Sequence, residues 1–245
     1  MPLVYEDEDG NIQESLHAVF LELPLFGQLY LNMQAQNIAM SDLDLREMET
    51  NLLREYMELE KTPFMTTMRV SAWSQMWVFA FYELLRTWRQ RTRELSDYAK
   101  ALKSSSDIEA TKASFHQKFE RTTRLSRNPE FFDQQAYAEA ELAPDHLIGR
   151  TERAKEIVEP LFRRLEAVRM TLAKHEVPKT RGLPALAPGY GRIDLSNGSI
   201  YWMIDYKDDT SDIISRRGLA DDFADLLPLL RIEKRNDMAR GFATG

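Results

Sequence analysis

Residues 66–103 read TTMRVSAWSQMWVFAFYELLRTWRQRTRELSDYAKALK. Trp73, Trp77, Ala80, Leu84 and Trp88 recur in it at steps of four, three, four and four, the spacing of one helical face. Val78, Phe79, Phe81, Tyr82 and Leu85 make the other faces apolar too. A helix apolar around most of its circumference belongs inside a bundle, so this one is expected at the centre, packed on several sides, with its aromatic stripe in the core. Its longest nearly uncharged run, 70–82, falls short of the ~20 apolar residues that a membrane span needs.

Working upstream, residues 13–38 carry a helical pattern that Pro24 and Gly27 break into a short first helix and a second one. Residues 1–12 are expected to be flexible. Ser41 before Asp42 and Asp44 reads as a capping hydroxyl with two carboxylates, opening a further helix to about 61 that Thr62 and Pro63 close. Downstream, Ser106 with Glu109 forms a capping box for a helix to about 124, and Asn128 with Pro129 begins another to about 142. From 144 to 175 the apolar row is Ile157, Leu161, Leu165, Val168 and Leu172, with Pro160 placing a kink.

The character then changes. Residues 177–191 hold three prolines and three glycines, which no helix or central strand tolerates, so an irregular loop is expected. Residues 192–195 and 199–205 flank Asn197-Gly198, which predicts a β-hairpin over 192–206 with a type I′ turn, and Ile200, Trp202 and Ile204 alternate on its buried face. A last helix is expected over 211–230, followed by a frayed tail at 231–245. The fold read from this pattern is mainly all-α, a bundle of six or seven helices with one small C-terminal β-hairpin in a single domain, 1–245.

Composition bounds the chemistry. The 245 residues include no cysteine, which excludes disulfides, thiolate nucleophiles and cysteine-held metal, and leaves stability to a buried core. An acidic start at 6–9 differs from a signal peptide, so a cytoplasmic protein with no membrane partner is expected. The net charge of −7 is unevenly spread: residues 1–60 carry 13 acidic and 2 basic side chains, and residues 61–130 carry 7 and 13. The simplest reading is that these two regions attract each other. The other is a phosphate-binding surface at Arg86, Arg89 and Arg93, extended by Arg91, Arg121, Arg124 and Arg127.

Candidate chemistry centres on Arg169 and His175. His17 and His116 lie in amphipathic helical text and His146 follows Asp145 at a helix start, contexts that suit structural or surface roles. His175 ends a helix directly before the proline-rich loop, six positions after Arg169. An imidazole titrating near neutrality can move the proton of a ribose 2′-hydroxyl or a leaving group, and a guanidinium can steady the charge of a phosphorane, with no metal and no cofactor. Six helical residues leave two side chains ~120° apart, so either the helix ends before His175 or a homodimer places one Arg and one His from each subunit in a shared cleft. The plain alternative pairs Arg169 with Glu166 or Glu176 and leaves His175 as a favourable charge at a helix end.

Arg169 and His175, spaced across a helix end in an all-α bundle, resemble the motif of the HEPN superfamily. That resemblance implies a dimeric helical protein associated with RNA, often a metal-independent endoribonuclease, with Arg169 and His175 lining the dimer cleft. Active members usually carry a polar residue, often Asn, directly after the Arg, where this chain has Met170. Lys174 and Glu83 are auxiliary candidates, Glu83 as a carboxylate within an apolar run whose neighbours Arg86, Thr87 and Gln90 also suit a surface ion pair. Asp208, Asp209 and Asp212, with Asp221, Asp222 and Asp225, form two Asp-Asp-x-x-Asp strings that read as turn, cap and surface residues rather than a Mg²⁺ site. The competing class is a non-enzymatic helical module that binds a protein partner. An enzyme should hold Arg169 and His175 together in an open cleft, and a module should expose an apolar patch elsewhere.

Overall fold

The computed structural model describes residues 3–6, 12–122, 134–173, 191–205 and 210–243, the side chains of 12, 13, 116, 118–122, 134, 135 and 237–243 excepted. Its axis is α3 (Phe64–Ser104), which packs most extensively against α6 (Pro144–Ala173) and then against α2 (Leu29–Leu59). Val70, Val78, Phe81, Leu85 and Trp88 of α3 are fully enclosed, as an all-round apolar helix requires. Its buried indoles find acceptors in breaks and helix backbones: Trp77 Nε1 donates to the Ile38 carbonyl at 3.1 Å and Trp88 Nε1 to that of Pro24 at 2.9 Å. The stripe is not uniformly core. Trp73 is 49% exposed and Ala80 is exposed too, because they sit at the solvent edge of the face whose centre is Trp77, Leu84 and Trp88.

The break at Pro24 and Gly27 separates α1 (Leu16–Glu22), capped by the Ser15 hydroxyl, from α2. No helix begins at Ser41. It lies inside the uninterrupted α2, and the Asp42 that read as a first-turn carboxylate is buried, accepting from Arg46 Nε one turn on at 2.9 Å and from Arg216. Glu60, in the left-handed region at φ 50°, ends α2, and Pro63 precedes α3. For α4 (Ile108–Thr122) the cap is Asp107 rather than Ser106, its carboxylate accepting from the Ala110 amide at 3.0 Å. The start read at Asn128 and Pro129 lies outside the described residues; α5 is described over Gln134–Leu142. A second cluster, with Leu95, Tyr98, Leu102 and Leu147, fills the space between α3, α5 and the start of α6.

Strand content exceeds the expectation. The N-terminal stretch read as flexible holds β1 (Val4–Glu6) paired antiparallel with β2 (Ile12–Glu14). The C-terminal hairpin is a three-stranded antiparallel sheet in the order β3 (Arg192–Ile193), β4 (Ile200–Asp205), β5 (Ser211–Ser215). Ile200, Trp202 and Ile204 point into the core as their alternation requires, and β5 takes residues that read as the start of the last helix. An Ile213-Ile214 pair suits a half-buried strand better than a first helical turn. The helix is split into α7 (Arg216–Ala224) and α8 (Leu227–Ala243), and α8 carries most of the tail expected to fray. The turn is not type I′. Asp194 and Ser199 close a four-residue loop in which Gly198 alone has positive φ, and the Asp194 carboxylate accepts from the Ser196 amide and hydroxyl. The expected 177–191 loop falls outside the described residues except for Gly191. Among the described residues no helix is long and apolar enough to cross a membrane.

Candidate functional site

Arg169 projects from α6 toward α3. Its Nη2 lies 3.6 Å from a Glu83 carboxylate oxygen, its Nη1 contacts the Met170 sulfur at 3.4 Å, and its guanidinium carbon lies 5.2 Å from the centre of the Tyr82 ring. Glu166 is not the partner found, since it accepts from the Tyr82 hydroxyl at 3.2 Å; Glu176 lies outside the described residues. Burial, reinforced by the Glu166 charge, raises the Tyr82 hydroxyl above its ordinary range and keeps it a donor at neutral pH. Glu83 bridges two helices, taking Arg86 Nη2 at 2.7 Å as well as Arg169, which is the surface pairing its polar neighbours indicated. His175 and Lys174 lie outside the described residues; among the described residues the carboxylate that Arg169 meets is Glu83.

The arginines read as a phosphate surface fall on one side of α3 at i, i+3 and i+7. Arg89 is occupied: it pairs with Glu159 at 2.8 Å and stacks 4.1 Å over Phe162. Arg86 is held by Glu83, and Arg93 is exposed. Arg124 and Arg127, and the side chain of Arg121, are not among those described. The acids that meet this basic region come chiefly from α6: Glu159 with Arg89, Glu152 with Lys100 and Asp145 with Lys103. The acidic first quarter of the chain pairs instead with the C-terminal end. Glu14 and Glu22 reach Arg231, Glu22 reaches Lys234, and Asp42 and Glu49 hold Arg216.

That last group is a buried ionic network absent from the sequence reading. Glu49 and Arg216 are completely buried, and Asp42 nearly so. Arg216 gives Nε and Nη2 to the two Glu49 oxygens at 2.8 and 2.5 Å and Nη1 to Asp42. Glu49 also accepts from the Ser199 hydroxyl at 2.8 Å and from Arg217 Nε at 2.9 Å. Arg46 joins Asp42 to Asp221, and Arg164 takes Asp222, so two of the three aspartates of the second string are held in ion pairs. Asp208 and Asp209 of the first string lie outside the described residues. The network's donors and acceptors answer one another in number and geometry, the arrangement expected of a structural clamp between α2, the sheet and α7.

The histidines fit structural roles. His17 is buried, its Nδ1 accepting from the Leu3 amide at 3.3 Å and its Nε2 bonded to Asn32 at 2.9 Å; His146 bonds Glu139 at 2.9 Å. The His116 side chain is not described. Among the described residues no group of three metal-binding side chains converges. A cavity of about 250 Å³ lies between the α1–α2 connection, α5, α6 and α8, lined by Glu22, Glu139, Arg150, Arg153, Glu233 and Lys234. Its charges face each other, with Arg150 on Glu139 at 2.8 Å and Lys234 on Glu22 at 2.7 Å, and Arg169 does not line it.

The largest unexplained feature is apolar. On the outer side of α3's first half, Phe64, Met65, Met68, Trp73 and Met76 are 71, 70, 55, 49 and 60% exposed, with Ala72 and Ala80 exposed between them. Trp77, Leu84 and Trp88 of the stripe read as core face inward from this helix, whereas Trp73 and Ala80 join an apolar row that faces outward. Compared with protein-family models, with curated proteins and with solved structures, the chain matches none of them.

Proposed function

We propose that this chain is a non-catalytic helical module that binds a protein partner through the outer face of α3. The observation that carries this reading is the run of Phe64, Met65, Met68, Trp73 and Met76 left in solvent along one helix. Contiguous apolar surface of this kind is uncommon on a chain that works alone and marks interaction sites, and methionines suit a surface that must adapt to its partner. Arg169 supports it from the other direction, since its contacts with Glu83 and Tyr82 account for it as a strut between α6 and α3.

A second reading is the HEPN-like one: a homodimer acting on RNA, with Arg169 as phosphate clamp and His175 as general acid and base. It is favoured by the Arg169 Nε, which is buried without a hydrogen-bond partner, and by the long contact to Glu83, which together leave the guanidinium with unused donors.

Two measurements decide between them. Immobilised wild-type protein is expected to retain a protein, a second copy of itself included, that a Met68→Glu/Met76→Glu variant loses by roughly tenfold or more, with unfolding unchanged because both side chains are exposed. Cleavage of a mixed RNA pool in EDTA is expected to be equal for wild type and His175→Ala. Equal retention by the two proteins, or EDTA-resistant cleavage that disappears in a folded His175→Ala variant, overturns the module reading, and the second of these outcomes establishes the nuclease.

A further inference from the structure

We propose that Asn197 is a site of self-modification, deamidating through a cyclic imide with Gly198 at a rate set by how often the turn between β3 and β4 lifts off α2. Of the seven asparagines it alone precedes a glycine; the others are followed by Ile, Met, Leu, Pro or Asp. The reaction requires only water and a base. The Gly198 nitrogen gives its proton to hydroxide or a buffer base and attacks the side-chain carbonyl carbon of Asn197. A new N–C bond closes a five-membered imide, the bond from that carbon to Nδ2 breaks, and Nδ2 takes up a proton and leaves as ammonia. Water then opens either carbonyl of the imide, giving aspartate or isoaspartate. Glycine favours the closure because no side chain hinders the approach of its nitrogen.

In the folded chain every group that must move is held. The Gly198 amide donates to the Asp194 carbonyl at 2.7 Å, so its proton is engaged. The Asn197 carboxamide is fixed at both ends, Oδ1 accepting from the Ser199 amide at 2.9 Å and Nδ2 donating to the Asp194 carboxylate at 3.4 Å. The backbone has no room to swivel, since Gly198 lies directly on the Glu49 carbonyl. The Ser199 hydroxyl ties the next residue to the buried ionic network, donating to Glu49 at 2.8 Å and accepting from the Arg217 amide at 3.1 Å. Ring closure therefore follows opening, and its rate is the intrinsic rate multiplied by the open fraction. The product does not reseat. Isoaspartate routes the main chain through the former side chain and adds a methylene to a turn already in contact with the α2 backbone. Aspartate sets a second carboxylate where Nδ2 had donated to Asp194. Deamidation is thus a one-way release of the turn from α2.

The test follows full-length protein at mildly alkaline pH by peptide mapping, reading the exchange of NH₂ for OH at residue 197 with aspartate and isoaspartate resolved. Native wild type is expected to lose Asn197 at least about tenfold more slowly than the same chain unfolded in urea. Ser199→Ala, which removes the turn's bond to Glu49 and keeps the Asn197-Gly198 pair, is expected to react several-fold faster than native wild type. Wild type in urea below its midpoint gives the same readout without a substitution: its rate is expected to rise before the chain unfolds. The deamidated fraction is expected to unfold at lower urea than the unmodified one. Equal rates for native and unfolded wild type, a rate that stays flat up to the unfolding transition, or a folded Ser199→Ala no faster than wild type overturns the gating by the turn. A deamidated fraction as stable as the unmodified protein overturns the release.

Discussion

Glu49→Ala is expected to cost about 3–5 kcal/mol of folding stability, a large share of what a domain of ordinary stability possesses. The size follows from what the substitution strands. Glu49 is completely buried in α2, and its two oxygens take Arg216 Nε and Nη2, the Ser199 hydroxyl and Arg217 Nε. Without them Arg216, also completely buried, keeps only Asp42, and two of its three donor nitrogens lose their carboxylate in the interior. Neutralising both sides should be far less costly. Glu49→Leu with Arg216→Met removes the desolvated charges together, so the double variant is expected to be more stable than the sum of its single losses by at least about 2 kcal/mol. Urea unfolding of the four members of this cycle measures the coupling. Lys100→Ala supplies the contrast: its Glu152 partner is 3.1 Å away, but both side chains are about half exposed, and the expected loss lies within about 1 kcal/mol. If Glu49→Ala costs no more than Lys100→Ala, the network is not the clamp that its geometry describes.

The network also marks where sequence reading stops. The central helix was legible because its signal is local: an apolar run with aromatic residues every three or four positions cannot be anything but a packed helix. Pro24 with Gly27 and the alternation of Ile200, Trp202 and Ile204 are local in the same way, and each stands where it was read. Asp42 and Glu49 carry no such mark. Seven residues apart on α2, they look like solvent-facing charges, and the Arg216 that buries them lies 174 and 167 positions away. Charge shows that a partner is needed and says nothing of which one. The same limit acted at Arg169, for which Glu166 was a near partner in sequence, while the contact described is with Glu83 on another helix. The outward apolar stripe of α3 failed to register for a different reason. An all-round apolar helix is compatible with burial on every side, and only the placement of α2 and α6 shows that one side is left to water.

Gly198→Ala is expected to destabilise by about 2–5 kcal/mol, from two penalties that act at one place. Gly198 sits at φ +77°, where a side chain costs about 1–2 kcal/mol. The larger part is steric. A Cβ at this position would lie 2.0 Å from the Glu49 carbonyl oxygen and 2.7 Å from its carbon, and those are backbone atoms in the middle of α2 with no rotamer to change. The turn must therefore lift off the helix, and lifting it withdraws the neighbouring Ser199 hydroxyl from the Glu49 carboxylate. Close approach of a loop to a helix backbone is thus what places the ionic clamp, and glycine is the residue that permits it. Gly27→Ala isolates the effect, because a Cβ there meets nothing within 4 Å and the backbone lies outside the left-handed region. That variant is expected to match wild type or to gain up to about 1 kcal/mol through a less flexible unfolded chain. Urea midpoints of the two variants test the seat directly: equal midpoints would mean that the turn does not rest on α2, whereas a loss confined to Gly198→Ala, smaller in a Glu49→Leu/Arg216→Met background, ties the turn to the clamp.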